Sequence, residues 1–151
     1  MRTLGNIIWH FPFLGFVNAI IVYLIGLLLV ATVVAAPIGL GLLELGKFLF
    51  LPFGNAMISK SKLNIEQNKT WKTYSTIVMI IYFPIGLILA ALAVIQIAFL
   101  FLSLIGIPVA LVIAKSLSTY LNPVNKKCVP SAVAEELDKR TALALVNKHL
   151  N

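Results

Sequence analysis

The chain has 151 residues, of which 60% are hydrophobic and only 11% charged, and its formal net charge is +7. A soluble domain carries roughly 45–50% apolar and about 25% charged residues, so a water-soluble globule is excluded. The lone cysteine, Cys128, excludes an intramolecular disulfide and a cysteine metal cluster and reads as a free thiol.

After Arg2, residues 3–43 contain no Asp, Glu, Lys or Arg, and residues 73–114 form a second such stretch. Each is about 40 residues long, and one spanning helix takes about 20. The chain therefore reads as an integral membrane protein. Its opening has the look of a secretory leader, with Arg2, an apolar run and Val34-Ala35-Ala36. The apolar run is far longer than the ~7–15 residues of a leader, so the segment is expected to be retained.

A long helix is expected from about Pro12 to Ala35, and a second from about Pro84 to Ile105. Proline is tolerated at a helix start, where its missing N–H is unpaired anyway. Each long helix breaks, at Ala36-Pro37 and at Gly106-Ile107-Pro108, because the residue before a proline is pushed out of the helical region. Pro37, Gly106 and Pro108 are the expected hinges. A shorter, proline-led helix follows each break and ends near Pro52 or Pro123, where Gly54-Asn55 and the segment 122–125 supply turn chemistry. The tail from Ser131 reads as a cytosolic helix. Ser131 is its expected N-cap, Glu135, Glu136 and Asp138 lie toward its start and Lys148 toward its end. Val133, Leu137 and Ala144 are its expected packing stripe.

The prolines expose an internal order. Pro12, Pro37 and Pro52 are answered by Pro84, Pro108 and Pro123, in the same order and at a nearly constant offset. Phe11-Pro12-Phe13 is answered by Phe83-Pro84-Ile85, and Ala36-Pro37-Ile38-Gly39 by Ile107-Pro108-Val109-Ala110. An internal repeat of about 71 residues follows, a symmetry familiar in membrane folds. The expected fold is all-α, a polytopic membrane protein of two tandem helical hairpins. Residues 1–58 are the first membrane repeat, 59–72 a basic cytoplasmic loop, 73–129 the second repeat and 130–151 the cytosolic helix.

Arg2, the loop lysines Lys60, Lys62, Lys69 and Lys72, and Lys126 with Lys127 make all three polar segments basic. The positive-inside rule places them in the cytoplasm, with both termini inside and Pro37 and Pro108 near the far face. A rival topology has one crossing per repeat, with each short helix flat on a membrane surface. The short helices reach only ~22 Å over 15 residues, against a ~30 Å core.

Glu44 stands seven residues after Pro37, and Lys115 seven after Pro108, so the repeat sets opposite charges at equivalent positions. Lys47 follows Glu44 by three, which permits an ion pair on one helix face. Glu44 and Lys115 are also placed to approach each other between the hairpins. Ser118, Thr119 and Asn122 follow Lys115 at helical spacing, and Asn18 and Gln96 are polar residues within the long helices. Charged groups at membrane depth are costly and face partners or water-filled cavities. These residues are therefore either a path for an ion or small polar solute, or charges that fix helix packing or snorkel to an interface. No HExxH, GxSxG or glycine-rich phosphate loop is present, His10 and His149 lack ligand-spaced companions, and no basic–aromatic nucleic-acid motif occurs. No enzyme activity, cofactor, metal or nucleic-acid partner is expected.

The same residues resemble the YccF family of bacterial inner-membrane component domains. The resembling motifs are Pro37 with Glu44 and Lys47, and Leu51-Pro52-Phe53-Gly54-Asn55. In the second half they are Ile105-Gly106-Ile107-Pro108-Val109, Lys115 and Pro123-Val124; Met1-Arg2-Thr3 before an apolar run is similar too. The resemblance spans about residues 1–129. It implies a bacterial inner-membrane location and two domain copies, and it implies no catalytic residues. The expected function is an oligomeric channel or carrier for an ion or small solute. The alternative is a non-transporting accessory protein that binds another membrane protein. Homo-oligomerisation is expected, because so few helices seldom enclose a pore alone and small residues such as Gly15, Ala19, Ala90 and Ala91 permit close helix contacts.

Overall fold

A computed structural model describes residues 2–11 and 13–150. Helix α1 (Arg2–His10) is followed by α2 (Gly15–Ala31) and α3 (Ala36–Phe50). Strand β1 (Asn55–Ser59) leads through a 3-10 turn, Lys60–Leu63, to α4 (Lys69–Leu102). A second 3-10 turn, Leu104–Gly106, joins α4 to α5 (Ile107–Leu121), and β2 (Lys126–Pro130) runs into α6 (Ser131–Leu150).

The two helical pairs form where the prolines place them. α2 packs along α3, and α4 along α5. Pro37 and Pro108 each lie in the first turn of a 15-residue helix. The α2–α3 pair is close because two glycines face each other. A Cβ on Gly39 would stand 2.7 Å from the carbonyl oxygen of Gly26. Lys69–Leu102 and Leu104–Leu121 are long and apolar enough to cross a membrane; α1 with α2 makes a third candidate if that bent pair is one span. Large apolar side chains cover much of their outward surface, from Ile20, Leu24 and Leu28 on α2 to Ile81, Ile88 and Phe99 on α4.

The long helices differ from the expected pair. α2 has 17 residues, and α1 meets it at 79°. Pro12, the expected start of the first long helix, lies outside the described residues. α4 has 34 residues and carries Pro84 inside it. A proline within a membrane helix is tolerated when neighbouring groups satisfy the freed carbonyl, so Pro84 does not start a helix here. The start is set instead by Asn68, whose side chain accepts from the Thr70 N–H at 3.1 Å. The expected loop 59–72 is thereby shortened at both ends.

The expectation of an all-α fold needs one correction: β1 and β2 form a two-stranded antiparallel ribbon. Its register pairs Met57 with Cys128, Asn55 with Pro130 and Ser59 with Lys126. Flanking it, the Lys60 N–H donates to Asn125 O at 2.8 Å and the Ser131 N–H to Gly54 O at 2.9 Å. Met57 and Cys128 face a core with Trp9, Leu45, Phe48, Leu49 and Val112. Ile58 and Val129 face the other way, onto Ala134 and Leu137 of α6. The packing face of α6 is thus Ala134 with Leu137, while Val133 and Ala144 are exposed. Ser131 begins α6, but its Oγ makes no hydrogen bond, so it is not the expected side-chain cap. The side chain of Lys148 lies outside the described residues.

The three basic segments meet in one layer around the ribbon. Arg2 lies 3.7 Å from Glu135, and Lys62 lies 3.1 Å from Asp138. The first helical apex joins them. The Tyr74 hydroxyl, near the start of α4, donates to the carbonyls of Val33 and Val34 at 2.9 and 2.6 Å. Tyr74 is two residues from Lys72, so the apex before Pro37 is not a ~30 Å core away from the basic segment. That does not fit the expected placement of Pro37 at the far face.

Candidate functional site

Glu44 projects from the middle of α3, and its side chain is 19% exposed. One carboxylate oxygen accepts from Lys47 Nζ at 2.7 Å and the other from the Cys128 N–H at 2.9 Å. The second bond has a clear cause. β2 is an edge strand, and an edge strand presents unpaired N–H groups. A partly buried N–H left without an acceptor is costly, and a carboxylate is the strongest acceptor a side chain offers. The Cys128 thiol beside it is pushed up to about 11, first by burial and then by the Glu44 carboxylate, with Lys47 opposing. It is therefore a protonated, unreactive thiol at neutral pH.

Lys115 projects from α5 to the end of the ribbon where β1 begins. Its ammonium donates to Pro52 O at 2.7 Å and Asn55 O at 3.3 Å, and it stands 5.9 Å from the centroid of the Phe53 ring. Glu44 and Lys115 thus do not approach each other as the sequence suggested. Each reaches across to the other half of the chain and binds backbone there. The acid takes a strand N–H and the base takes two turn carbonyls, which matches each charge to the group it can satisfy.

The expected polar stripe on α5 separates into three environments. Ser118 Oγ accepts from Lys126 Nζ at 3.3 Å. Thr119 is 1% exposed, and its hydroxyl makes no hydrogen bond. Asn122 accepts from the Val124 N–H at 3.0 Å through Oδ1, and its Nδ2 lies 2.9 Å from Met79 Sδ. Burial, and then Lys62, pull the Lys126 ammonium below the usual lysine range. Pro37 and Pro108 open their helices, and Gly106 ends a 3-10 turn in ordinary helical geometry. Left-handed strain falls instead on Val33, with φ 61°. Asn18 and Gln96, from α2 and α4, line a common cavity of about 320 Å³ with Trp9, Val109 and Tyr120.

Several bonds went unread in the sequence. Trp9 Nε1 donates to Leu49 O at 2.8 Å, and the Tyr82 hydroxyl to Tyr120 O at 3.1 Å. The Phe53 N–H donates to Asn6 Oδ1 at 3.1 Å, as the Val124 N–H does to Asn122. Leu49 and Tyr120 are 71 residues apart, and so are Phe53 and Val124. That correspondence was the available signal.

The long apolar helices define an integral membrane protein. Residues 4–55 match the family model YccF, described as an inner membrane component domain. Over that stretch the chain is similar to the domain, and the resemblance read from the sequence holds there. No curated protein and no solved structure matches the chain.

Proposed function

We propose that this inner-membrane protein is a non-transporting accessory component, whose ribbon and α6 form the layer that meets another membrane protein. The observation that carries this reading is the use made of the charges. Glu44 and Lys115 are committed to backbone groups of the opposite half, and Lys47 to Glu44. A charge so committed holds helices in place, whereas a conduction path needs groups that can exchange partners with a passing ion. Both termini and the central basic segment are cytoplasmic in this reading, supported by the Arg2–Glu135 and Lys62–Asp138 pairs that gather them on one side.

The two halves are proposed to be copies of one unit. Met57 pairs with Cys128, its counterpart in the second repeat, and the Lys60–Asn125 and Ser131–Gly54 bonds are exchanged by the same shift. A ribbon in which each strand pairs with its own counterpart has the self-complementary form of a two-fold interface.

A second reading, a channel or carrier, is favoured by the Asn18–Gln96 cavity between α2 and α4. One experiment separates the two: ion flux in proteoliposomes, for monovalent cations and anions, with wild type, Lys115→Ala and Gln96→Leu. No flux above empty vesicles is expected. A selective flux that either substitution alters would overturn the accessory reading in favour of the channel.

A further inference from the structure

Beside the ribbon, outside the charged clamps, lies a polar cavity of about 390 Å³. Ser59, Ser61, Glu66, Gln67, Lys72 and Asn125 contribute to its lining. Met79 and Asn122 also line it, and both reappear in an adjoining cavity of about 430 Å³ with Ile80, Phe83 and Leu121. Leu121 in turn lines a third space, also about 430 Å³, walled by Leu87, Ala90, Ala91, Val94 and Leu117 with Ser118. The three share walls and form one track between α4 and α5.

The track follows one face of α4. Lys72, Thr76, Met79, Phe83, Leu87, Ala90 and Val94 recur every three or four residues, the spacing of a single helix face. Its chemistry changes once along the way, from polar at Lys72 and Thr76 to apolar from Met79 onward. The apolar part, Met79 to Val94, is about 22 Å long at 1.5 Å per residue. One leaflet of a ~30 Å core is about 15 Å, so the groove can hold an acyl chain through a leaflet. α4 is itself one of the helices able to cross the membrane, so lipid is the medium this groove faces.

The polar end is also charge-balanced. It holds one cation, Lys72, and one anion, Glu66, and neither is in an ion pair among the described residues. Around them stand Ser59 and Ser61, whose hydroxyls bond each other at 2.9 Å and leave one O–H over, and Gln67, whose amide donates one N–H to Asn125 Oδ1 at 3.1 Å and keeps a second for a phosphate oxygen. We propose that this track is a binding site for a zwitterionic phospholipid bearing a primary ammonium, a phosphatidylethanolamine. Its phosphate meets Lys72, its ammonium meets Glu66, and an acyl chain lies along Met79, Phe83 and Leu87. A phosphatidylglycerol offers Glu66 no cation, and the quaternary ammonium of a phosphatidylcholine has no N–H to donate. The site does not depend on the accessory or the channel reading.

The test is native mass spectrometry of the full chain in detergent, with equimolar phosphatidylethanolamine, phosphatidylglycerol and phosphatidylcholine. Wild type is expected to retain phosphatidylethanolamine about tenfold over the other two, the factor that one charge-assisted hydrogen bond supplies. Glu66→Gln should bring phosphatidylethanolamine and phosphatidylglycerol to within about twofold, and Glu66→Asp should restore the preference. Lys72→Met should weaken both. Ala91→Trp, which fills the groove, should weaken all three alike. Equal retention of the three lipids by wild type overturns the proposal. So does a preference that survives both Glu66→Gln and Lys72→Met. Lys62→Ala, away from the track, serves as the folded reference.

Discussion

In the first half of the chain the long helix is cut: α1 leaves α2 at 79°. In the second half α4 runs unbroken through Pro84 for 34 residues. Yet both arrive at the same bond. Trp9 reaches Leu49 O from the bent pair, and Tyr82 reaches Tyr120 O from the continuous helix. Leu49 and Tyr120 lie in the last turns of α3 and α5, where carbonyls have no partner within the helix. The difference teaches that the path of the long helix is free to vary, while the end of the short helix must be closed. An aromatic N–H or O–H closes it in each half.

The halves differ again in how tightly each holds the other, and substitution can break that comparison. The largest effect is expected at Gly41, where a Cβ would run into the carbonyl of Pro123. Gly41→Ala should cost about 2–3 kcal/mol by overpacking. Gly54→Ala, whose Cβ would meet only Leu51 O at 3.7 Å, should stay within about 0.5 kcal/mol. Thermal unfolding in detergent measures both, and equal melting temperatures would remove the α3–Pro123 contact from the account.

Next comes the basic clamp. Lys115→Ala leaves Pro52 O and Asn55 O without their donor and should cost about 1–2 kcal/mol. Lys62→Ala breaks only a pair whose side chains are 52% and 66% exposed, and should cost less than about 1 kcal/mol. A smaller change is expected at the acidic clamp. Glu44→Gln keeps an acceptor for the Cys128 N–H but removes the negative charge that opposes the thiolate. The Cys128 thiol should then titrate below about 11, and alkylation should accelerate at lower pH than in wild type. An unchanged pH profile would mean burial alone raises that thiol. The smallest effect is at the first apex, where Val33 sits at φ 61° while the second apex has no left-handed residue. Val33→Gly should raise stability by up to about 1 kcal/mol, the relief of left-handed strain less the entropy glycine costs.

The helical breaks were readable because Pro37 and Pro108 act through local sterics, which need no knowledge of neighbours. The Glu44–Lys47 pair was readable for the same reason, as spacing along one helix. The ribbon was not. Asn55–Ser59 and Lys126–Pro130 are five residues each, lack clean alternation and follow helix-stop signals, so each alone reads as loop. Only their offset of 71 residues, the same as that from Pro37 to Pro108, marked them as a pair. The partners of Lys115 escaped notice because they are backbone carbonyls, which every residue possesses. Pro84 misled because a proline that can start a helix can also be carried inside one.

The ribbon also has a consequence for how the chain comes into being. Each strand is supplied by a different half, so β1 is made well before the strand it pairs with. At about 5–20 residues per second, a ribosome needs roughly 4–14 s to deliver the counterpart of any residue in β1. During that interval the first part of the chain has its strand edge open and the Gly54 carbonyl without the Ser131 N–H. A nascent chain in that state presents an unpaired strand edge, the kind of edge that pairs with other chains, until residues 126–130 emerge.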